Sequence, residues 1–417
     1  MKYVRVGSAL AGILVVAAAL TGCGARDTPQ AEAVTVPKGA PIIIGSICSC
    51  TGAQAAAASQ AAPIIKAWAD SVNDAGGLNG HAIKLIVKDD GGNPAAALQA
   101  AKELVEQEKV IAIVGEVSAA DEAYADYVAS KGVPVVGGLP VAAPFSTNPD
   151  FFASGSGNAI GALGTFNQTA AAGGKSLGAF YCSESPVCGQ FVPLGQLAGQ
   201  LVGVEFTAAK IAGTAPNYTA PCVAMDKAGV DSIFVAHNAA VVPRVVDSCA
   251  KAGFSPRIVQ SMSTFGPALL KDANFDGSLW SSPNAIYTDT SIPGVKAMHD
   301  ALTAYAPDVL ESDAFTETGA YAWAGGKLFE AASAAAGGFS PTSTSADVKR
   351  GLYALKDETL DGWAPPLNFE EGKPGFPTCY FTGEVSGGKL VASADGKATC
   401  LPSEQVTALV QALTAAG

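Results

Sequence analysis

From residue 41 onward the hydrophobic pattern of the chain alternates between two kinds of segment. Short runs rich in β-branched residues are followed by longer, alanine-rich runs in which apolar residues recur at helical spacing. We expect strands for the short runs and helices for the long ones. The first group comprises strands at residues 41–47, 82–88, 110–114 and 133–136, and helices at residues 53–74, 95–107 and 119–130.

The same alternation restarts after a glycine- and serine-rich stretch at residues 154–164. The second group comprises strands at residues 176–181, 204–211, 231–236 and 257–259, and helices at residues 188–202, 219–228 and 240–252. Further helices are expected at residues 293–306, 315–336 and 346–355, and a hairpin at residues 378–382 and 389–392.

Alternating strands and helices are typical of βαβ units, which form a parallel sheet. Two such groups therefore predict an α/β protein with two Rossmann-like lobes. In open sheets of this kind, ligands bind beyond the carboxyl ends of the strands. We expect a binding site in the cleft between the lobes, with hinge closure around the ligand.

The first 22 residues have the charge order of an export signal peptide. Lys2 and Arg5 precede a run of 15 small, apolar residues at positions 6–20, which is shorter than the roughly 20 residues of a membrane-spanning helix. Leu20-Thr21-Gly22-Cys23 resembles a bacterial lipobox. This resemblance implies that Cys23 becomes the lipidated first residue of a tether over residues 23–38, which holds the protein on the outer face of the cell membrane.

Composition narrows the classes of protein that this chain can represent. The hydrophobic share of 49% is too high for a disordered chain. The formal net charge of −12 argues against a nucleic-acid partner, which requires a basic face. Only three histidines are present, and no nucleophile, zinc-peptidase or phosphate-loop motif occurs. We therefore expect a protein that is not an enzyme and that uses no metal and no cofactor.

Several short runs resemble one family of proteins. The run at residues 75–80 (AGGLNG), the run at residues 83–90 (IKLIVKDD), Asn93-Pro94 and the run at residues 113–115 are similar to the first lobe of type I periplasmic binding proteins of the leucine/branched-chain amino acid group. Residues 217–219, 229–231 and 366–369 resemble later parts of the same family.

This resemblance covers nearly the whole chain after the tether, and it is most specific over residues 75–115. It implies a solute receptor that hands its small-molecule ligand to ABC permease subunits. It also implies three crossings between the lobes, near residues 155, 290 and 370. Lobe 1 is thus expected at residues 39–155 plus 291–370, and lobe 2 at residues 156–290 plus 371–417.

The resemblance places candidate ligand contacts on the first lobe. The family uses a serine for the ligand carboxylate, and Ser118 matches it beside Glu116, at a predicted helix start that also suits an anion. The alternative is that Ser118 only caps its helix. The family's threonine-like side chain is missing at Gly138 and Leu139, which leaves backbone contacts there. The first loop should also line the cleft, and it carries Cys50.

On the second lobe the sequence departs from the family. His237 and Asn238 stand where the amino-acid binders often have an aromatic residue, and a run containing Met262 replaces the carboxylate that holds the ligand's ammonium. A buried ammonium without a partner costs several kcal/mol. Either the ligand is not an α-amino acid, or Glu116 or Glu184 substitutes. The alternative for both acids is a solvated loop carboxylate.

Nine cysteines are an odd number, and lipidation of Cys23 would leave eight. If disulfides stay within lobes, the two cysteines of lobe 1 pair with each other, while lobe 2 leaves 15 pairings open. We predict the pairs that flank one loop, join successive helices or flank the terminal hairpin. The predicted disulfides are Cys48–Cys50, Cys182–Cys188, Cys222–Cys249 and Cys379–Cys400.

The sequence therefore predicts a lipid-anchored binding protein of an ABC importer. Its ligand is expected to be a small polar metabolite, such as an amino-acid-like compound, an amide or a carboxylate. The alternative is a ligand-sensing module that reports to a separate signalling partner.

Overall fold

The computed structural model describes residues 37, 39–184, 188–189, 191–375 and 377–416. The predicted signal peptide and Cys23 lie outside the described residues. Within the described ranges, no helix combines the length and the apolar character that crossing a bilayer requires.

The first sheet consists of five parallel strands in the order β2-β1-β3-β4-β5. Its strands are rich in β-branched residues, and β1, β3, β4 and β5 are almost wholly buried, as expected for a parallel sheet covered on both faces. The strands are β1 (Ile42–Cys48), β2 (Ile83–Asp89), β3 (Ile113–Glu116), β4 (Val135–Gly138) and β5 (Phe151–Phe152).

Among the helices that connect these strands, α3 (Pro94–Lys102) begins where local sequence signals place it. Asn93 caps α3 by accepting hydrogen bonds from the amides of Ala95 and Ala96, and Pro94 occupies the first helical position. The helix expected over residues 53–74 is interrupted, because Pro63 has no amide to donate to the carbonyl of residue 59. The helices are α1 (Ala55–Ala58), α2 (Ala61–Asp74), α3 (Pro94–Lys102), α4 (Glu122–Ser130) and α5 (Pro144–Thr147).

The second sheet has eight strands, with β12-β11-β10-β9-β8-β6-β7 in order and β13 paired to β11. Neighbours among β6–β10 are parallel, and β11 pairs antiparallel with β10, β12 and β13. The strands are β6 (Ser176–Cys182), β7 (Glu205–Ile211), β8 (Ser232–Ala236), β9 (Arg257–Ser261), β10 (Leu279–Ser282), β11 (Cys379–Ser386), β12 (Lys389–Ala392) and β13 (Thr399–Cys400).

Four helices cover this second sheet, and a fifth lies at the end of the chain. The glycine- and serine-rich stretch expected at residues 154–164 is shorter than predicted, because a helix starts at Asn158. The helices are α6 (Asn158–Ala171), α7 (Phe191–Val202), α8 (Thr219–Lys227), α9 (Val242–Lys251) and α14 (Ser403–Ala416).

Four further helices follow β10 in the sequence but do not stay with the second sheet. The longest of them, α12, packs against α2, α13, β3 and β4, so the chain has returned to the first sheet. These helices are α10 (Pro293–Tyr305), α11 (Pro307–Glu311), α12 (Glu317–Ala335) and α13 (Ser345–Ala354).

Glycines allow α12 to lie directly on the first sheet. A Cβ atom on Gly325 would lie 2.4 Å from the Cα of Gly115, and one on Gly137 would lie 2.3 Å from the Cα of Gly325. Helix backbone and strand backbone are therefore in contact, with no side chain between them. This contact fixes α12 beside the carboxyl ends of β3 and β4.

The structure joins the cysteines in the same four pairs that the sequence analysis proposes. The Cα atoms are 5.2 Å apart in Cys48–Cys50, 5.5 Å in Cys182–Cys188, 5.0 Å in Cys222–Cys249 and 3.8 Å in Cys379–Cys400. Cys222 and Cys249 are buried between α8 and α9, whereas Cys379 and Cys400 face each other across β11 and β13.

Candidate functional site

The carboxyl ends of β1, β2 and β3 bring a set of polar residues together. Asp90, just after β2, accepts hydrogen bonds from the hydroxyls of Ser49 (2.7 Å) and Ser118 (2.5 Å) and from the amide of Gly92 (2.7 Å). Ser49 in turn accepts from the amide of Ala119 at 2.9 Å. One carboxylate thus ties together the three loops where a ligand of an open α/β sheet would bind.

Ser118 is fully buried, and both of its polar groups are used within the protein. Its amide donates to Glu116 Oε2 at 2.9 Å, and its hydroxyl also accepts from the amide of Ala120 at 3.0 Å. This is the arrangement of a serine that orders the turn before a helix. A ligand would reach Ser118 only if these partners moved.

Glu116 is also completely buried. Its Oε2 atom accepts from Ser118 and from the hydroxyl of Tyr124 (3.1 Å), while its Oε1 atom has no hydrogen-bond partner. Burial raises the pKa of Glu116 well above its usual value, and the neighbouring charge of Asp121 adds to this. Sequence reasoning treated Glu116 as a solvated acid or a substitute for the missing carboxylate, and the structure shows that it is not solvated.

Asp121 stands at the start of α4 and completes a group of three acids with Asp90 and Glu116. Its Oδ1 atom accepts from the amide of Glu122 at 3.0 Å, and its buried Oδ2 atom has no partner. Burial raises the pKa of Asp121 to about 7. Neither Asp90 nor Asp121 was predicted as a site residue, because Asp90 reaches this group by hydrogen bonds between separate loops and Asp121 by its charge.

Gly138 and Leu139 lie beside this group, at the end of β4. The amide of Leu139 donates to the carbonyl of Glu116 at 3.0 Å, and Gly138 has a φ of 133°. A Cβ atom on Gly138 would lie 2.1 Å from that same carbonyl oxygen. A threonine-like side chain cannot occupy position 138 in this backbone, which explains the departure from the family pattern.

Cys50 is half-buried, and its disulfide to Cys48 spans the loop that carries Ser49. The carbonyl of Cys48 accepts from the amide of Asp90 at 2.9 Å. The disulfide therefore braces the loop from which Ser49 reaches Asp90. Cys50 is the member of the pair that a ligand could touch.

At the second sheet, Glu184 and His237 come together from the ends of β6 and β8. His237 Nε2 lies 3.3 Å from Glu184 Oε2, within ion-pair distance although the geometry is not that of a hydrogen bond. Glu184 also accepts from the amides of Gly213 (2.5 Å) and Ser183 (2.9 Å). The Gly213 hydrogen bond, and less strongly His237, hold the pKa of Glu184 below its usual value.

Asn238 is exposed next to His237, and its amide donates to His237 Nδ1 at 2.9 Å. Arg244, on α9, donates to the carbonyls of Gly213 (2.6 Å) and Ala215. The two bonds of Arg244 hold α9 against the loop after β7. Glu184, His237 and Asn238 therefore form one polar group on the second sheet, as the acid group does on the first.

The expectation that Met262 contacts the ligand needs correction. Met262 is only 1% exposed and belongs to the apolar core, because the chain turns inward in a 3-10 turn directly after β9. The polar side chains at this strand end are those of Ser261 and Ser263, whose hydroxyls lie 3.1 Å apart.

A buried polar cluster also links the segments between the two sheets. Asn284 Nδ2 donates to the carbonyl of Ser154 at 2.6 Å, so the segments after β5 and β10 are bonded to each other. The hydroxyl of Ser282 donates to the carbonyl of Asn284 (2.5 Å) and contacts Glu317 Oε1. Burial raises the pKa of Glu317, at the start of α12, to about 7.

Two open surface cavities lie away from every predicted site residue. One of about 470 Å³ is lined by α4 and the α5 region, and one of about 500 Å³ lies between α2, α10 and α12. Across the residues that the structure covers, no group of three or more His, Cys, Asp or Glu side chains is arranged to hold a metal ion.

Both the fold and the position of these polar groups define a two-sheet ligand-binding protein of the type I periplasmic binding protein class. The family model for periplasmic binding proteins matches residues 41–389, and the chain belongs to that family. The prediction from sequence resemblance is thereby confirmed. The family and its structural neighbours are binding proteins, in agreement with the expectation that the chain is not an enzyme.

Two solved structures show the same fold and differ in the solutes that their descriptions give. A branched-chain amino acid ABC transporter protein from Thermus thermophilus, with bound valine, has a TM-score of 0.72 at 16% identity and covers 88% of this chain and 98% of its own. A fatty acid ABC transporter substrate-binding protein from Thermomonospora curvata has a TM-score of 0.66 at 17% identity and covers 89% and 95%.

An amino acid binding protein from Pseudomonas aeruginosa is 36% identical over 110 residues, which are 26% of this chain and 28% of that protein. The chain therefore matches only about a quarter of this relative's length. At these identities and coverages the comparisons establish the family and the fold, while the ligand has to be argued from the site.

Proposed function

We propose that this protein is an extracytoplasmic binding protein of an ABC importer, which closes its two lobes over a small polar solute. The observation that carries the proposal is the polar group of Ser49, Asp90, Glu116 and Ser118 at the carboxyl edge of the first sheet. A ligand of an open α/β sheet binds at this edge. Membership in the periplasmic binding protein family supports the role.

The proposed lobes are residues 39–155 plus 291–370 and residues 156–290 plus 371–417. The return of α12 to the first sheet and the hydrogen bond between Asn284 and Ser154 support this division. Two linking segments that are bonded to each other can act as one hinge, about which the lobes rotate.

Direct contact with the solute is proposed for the site residues that reach the surface. Cys50 and Leu139 are half-exposed on lobe 1, and Glu184 and Asn238 are exposed on lobe 2. Gly138, His237 and the buried Ser118 shape the loops behind them. Met262 has no part in this contact.

We propose that Cys23 carries the lipid anchor, on the strength of the lipobox-like Leu20-Thr21-Gly22 before it. Two acyl chains hold a protein on a membrane far more firmly than one. Cells grown with labelled palmitate should yield labelled protein, and a Cys23→Ala variant should be unlabelled. Equal labelling of both proteins would exclude this anchor.

Solute binding is tested by a thermal-shift screen of the full chain, extracted in mild detergent, against amino acids, amides, amines, organic acids and nucleobases. A solute at 100 times its Kd stabilises the folded protein by about 2.7 kcal/mol. The best solute should bind more weakly to a Glu184→Gln variant than to the wild type.

Glu205→Gln is the matched control, since Glu205 is exposed at the opposite, amino end of the paired strand β7. We expect this control to bind as the wild type does. Absence of any stabilising solute, or equal loss in both variants, would contradict binding at the carboxyl edges of the sheets.

A further inference from the structure

The hydrogen-bond donors that would receive a ligand carboxylate on lobe 1 are already occupied by acids of the chain itself. The Ser118 amide donates to Glu116 Oε2 at 2.9 Å, and the Ser118 hydroxyl donates to Asp90 Oδ2 at 2.5 Å. An incoming carboxylate would have to displace one of these acids and then lie among like charges. Each close pair of like charges in such a buried site is unfavourable.

Two other oxygen atoms in the same group are acceptors that lack a hydrogen-bond donor. Glu116 Oε1 and Asp121 Oδ2 are buried and accept no hydrogen bond, in residues that are 0% and 4% exposed. Each of these carboxyl groups is anchored through its other oxygen, Glu116 by Ser118 and Tyr124, and Asp121 by the amide of Glu122. The two unpartnered oxygens are therefore held in place and lack only a donor.

No described cation compensates this group. In the described part of the chain, no lysine, arginine or histidine forms an ion pair with Asp90, Glu116 or Asp121. A buried acceptor without a partner is unfavourable, and more so when the group is charged. A donor that also carries positive charge would satisfy both oxygens and the charge of the group at once.

We propose that the solute presents a cationic N–H donor, a primary ammonium or an amidinium, to Glu116 and Asp121 on lobe 1, and that it does not bind there through a carboxylate. This inference rests on the proposed solute-binding function and specifies the chemical class of the solute. Asp121 is the member of the pair nearer to solvent, since its residue is 4% exposed against 0% for Glu116.

The test compares pairs of probes that share a carbon skeleton and differ in charge. Calorimetric titration of the full chain uses n-butylamine against butyrate, benzylamine against benzoate, and leucinamide against N-acetylleucine. We expect the amine of at least one pair to bind at least tenfold more tightly than its carboxylate partner. We also expect proton release on binding, measured in two buffers of different ionisation enthalpy, because burial raises the pKa of both Glu116 and Asp121 in the free protein and a bound cation would lower both.

Variants separate this role from a merely structural one. Glu116→Gln and Asp121→Asn should each weaken amine binding tenfold or more and abolish much of the proton release. Asp126→Asn, which removes the same charge from an exposed position on α4, should leave both unchanged. Should one of the two site variants fail to fold, the other carries the test.

Tighter binding of a carboxylate that is weakened by Ser118→Ala would overturn this inference and leave the solute-binding function standing. Binding of neutral solutes alone would also overturn the inference. So would amine binding that releases no protons and is unchanged in the two site variants. A chain that binds none of the solutes in the broader screen would instead refute the proposed function itself.

Discussion

The contact between α12 and the first sheet predicts that a single methyl group at Gly325 destabilises the protein. A Cβ atom there would lie 2.4 Å from the Cα and 2.6 Å from the N of Gly115, and 2.9 Å from the carbonyl oxygen of Val136. All three atoms belong to the backbone, so no side chain can rotate away. Either α12 or the end of β3 must move.

The expected magnitude follows from two opposing effects. Replacing a helical glycine by alanine normally stabilises a helix by about 1 kcal/mol. Overpacking a tight core costs about 1–3 kcal/mol, and the high end applies where only backbone can yield. Gly325→Ala should therefore lower the free energy of unfolding by about 2 kcal/mol.

Gly319→Ala, on the same helix, is the matched control. Its Cβ would closely approach only side-chain atoms, Ile64 Cδ1 at 3.3 Å and Gln60 Cβ at 3.4 Å. The stabilisation of the helix by alanine should therefore be retained. Urea denaturation followed by circular dichroism measures both variants. Since Gly115 directly precedes Glu116, Gly325→Ala should also weaken binding of the solute found in the screen. A Gly325→Ala protein as stable as the wild type would refute the close contact.

Two further predictions concern stability. Replacing Cys222 and Cys249 by alanine opens a loop with a sequence separation of 27 and should lower the free energy of unfolding by about 3.5 kcal/mol. The same change at Cys48 and Cys50, with a separation of 2, should lower it by about 1.5 kcal/mol. Urea denaturation that shows the reverse order would contradict this. Because burial raises the pKa of Glu317 from 4.5 to about 7, the native state binds more protons than the unfolded state across that window. The free energy of unfolding should then fall as pH rises from 4.5 to 7, by up to about 1.4 kcal/mol per pH unit for this group, and Glu317→Gln should flatten that slope. An unchanged slope in the variant would show that Glu317 does not titrate in this way.

Local sequence features were sufficient to place most of the regular structure. Strands β1 to β4 and β6 to β9 follow from short β-branched runs, and the cap at Asn93 follows from its neighbour Pro94. The short strands β5, β10 and β13 were missed, because two to four residues carry too little pattern. Their pairing depends on neighbours that are remote in the sequence.

The candidate site was predicted less completely, for the same physical reason. Ser118 and Glu116 were identified because they follow one strand. Asp90 joins them through a hydrogen bond from Ser118 that links two separate loops, and Asp121 joins them through its charge from the end of the same loop. Met262 was expected at the site from the family resemblance, whereas the 3-10 turn directly after β9 leaves its side chain buried in the apolar core.

The two lobes give independent reasons to doubt that an α-amino acid is the solute. On lobe 1, the donors that the resemblance assigns to a ligand carboxylate are held by Glu116 and Asp90. On lobe 2, the position that the resemblance assigns to an ammonium partner is Met262, and the nearby acid Glu184 is already bonded to two amides. Neither half of an amino acid therefore finds the partner that the resemblance implies. Two unpaired carboxyl oxygens, Glu116 Oε1 and Asp121 Oδ2, lie instead on lobe 1, so a solute that carries only the cationic half would suit both observations.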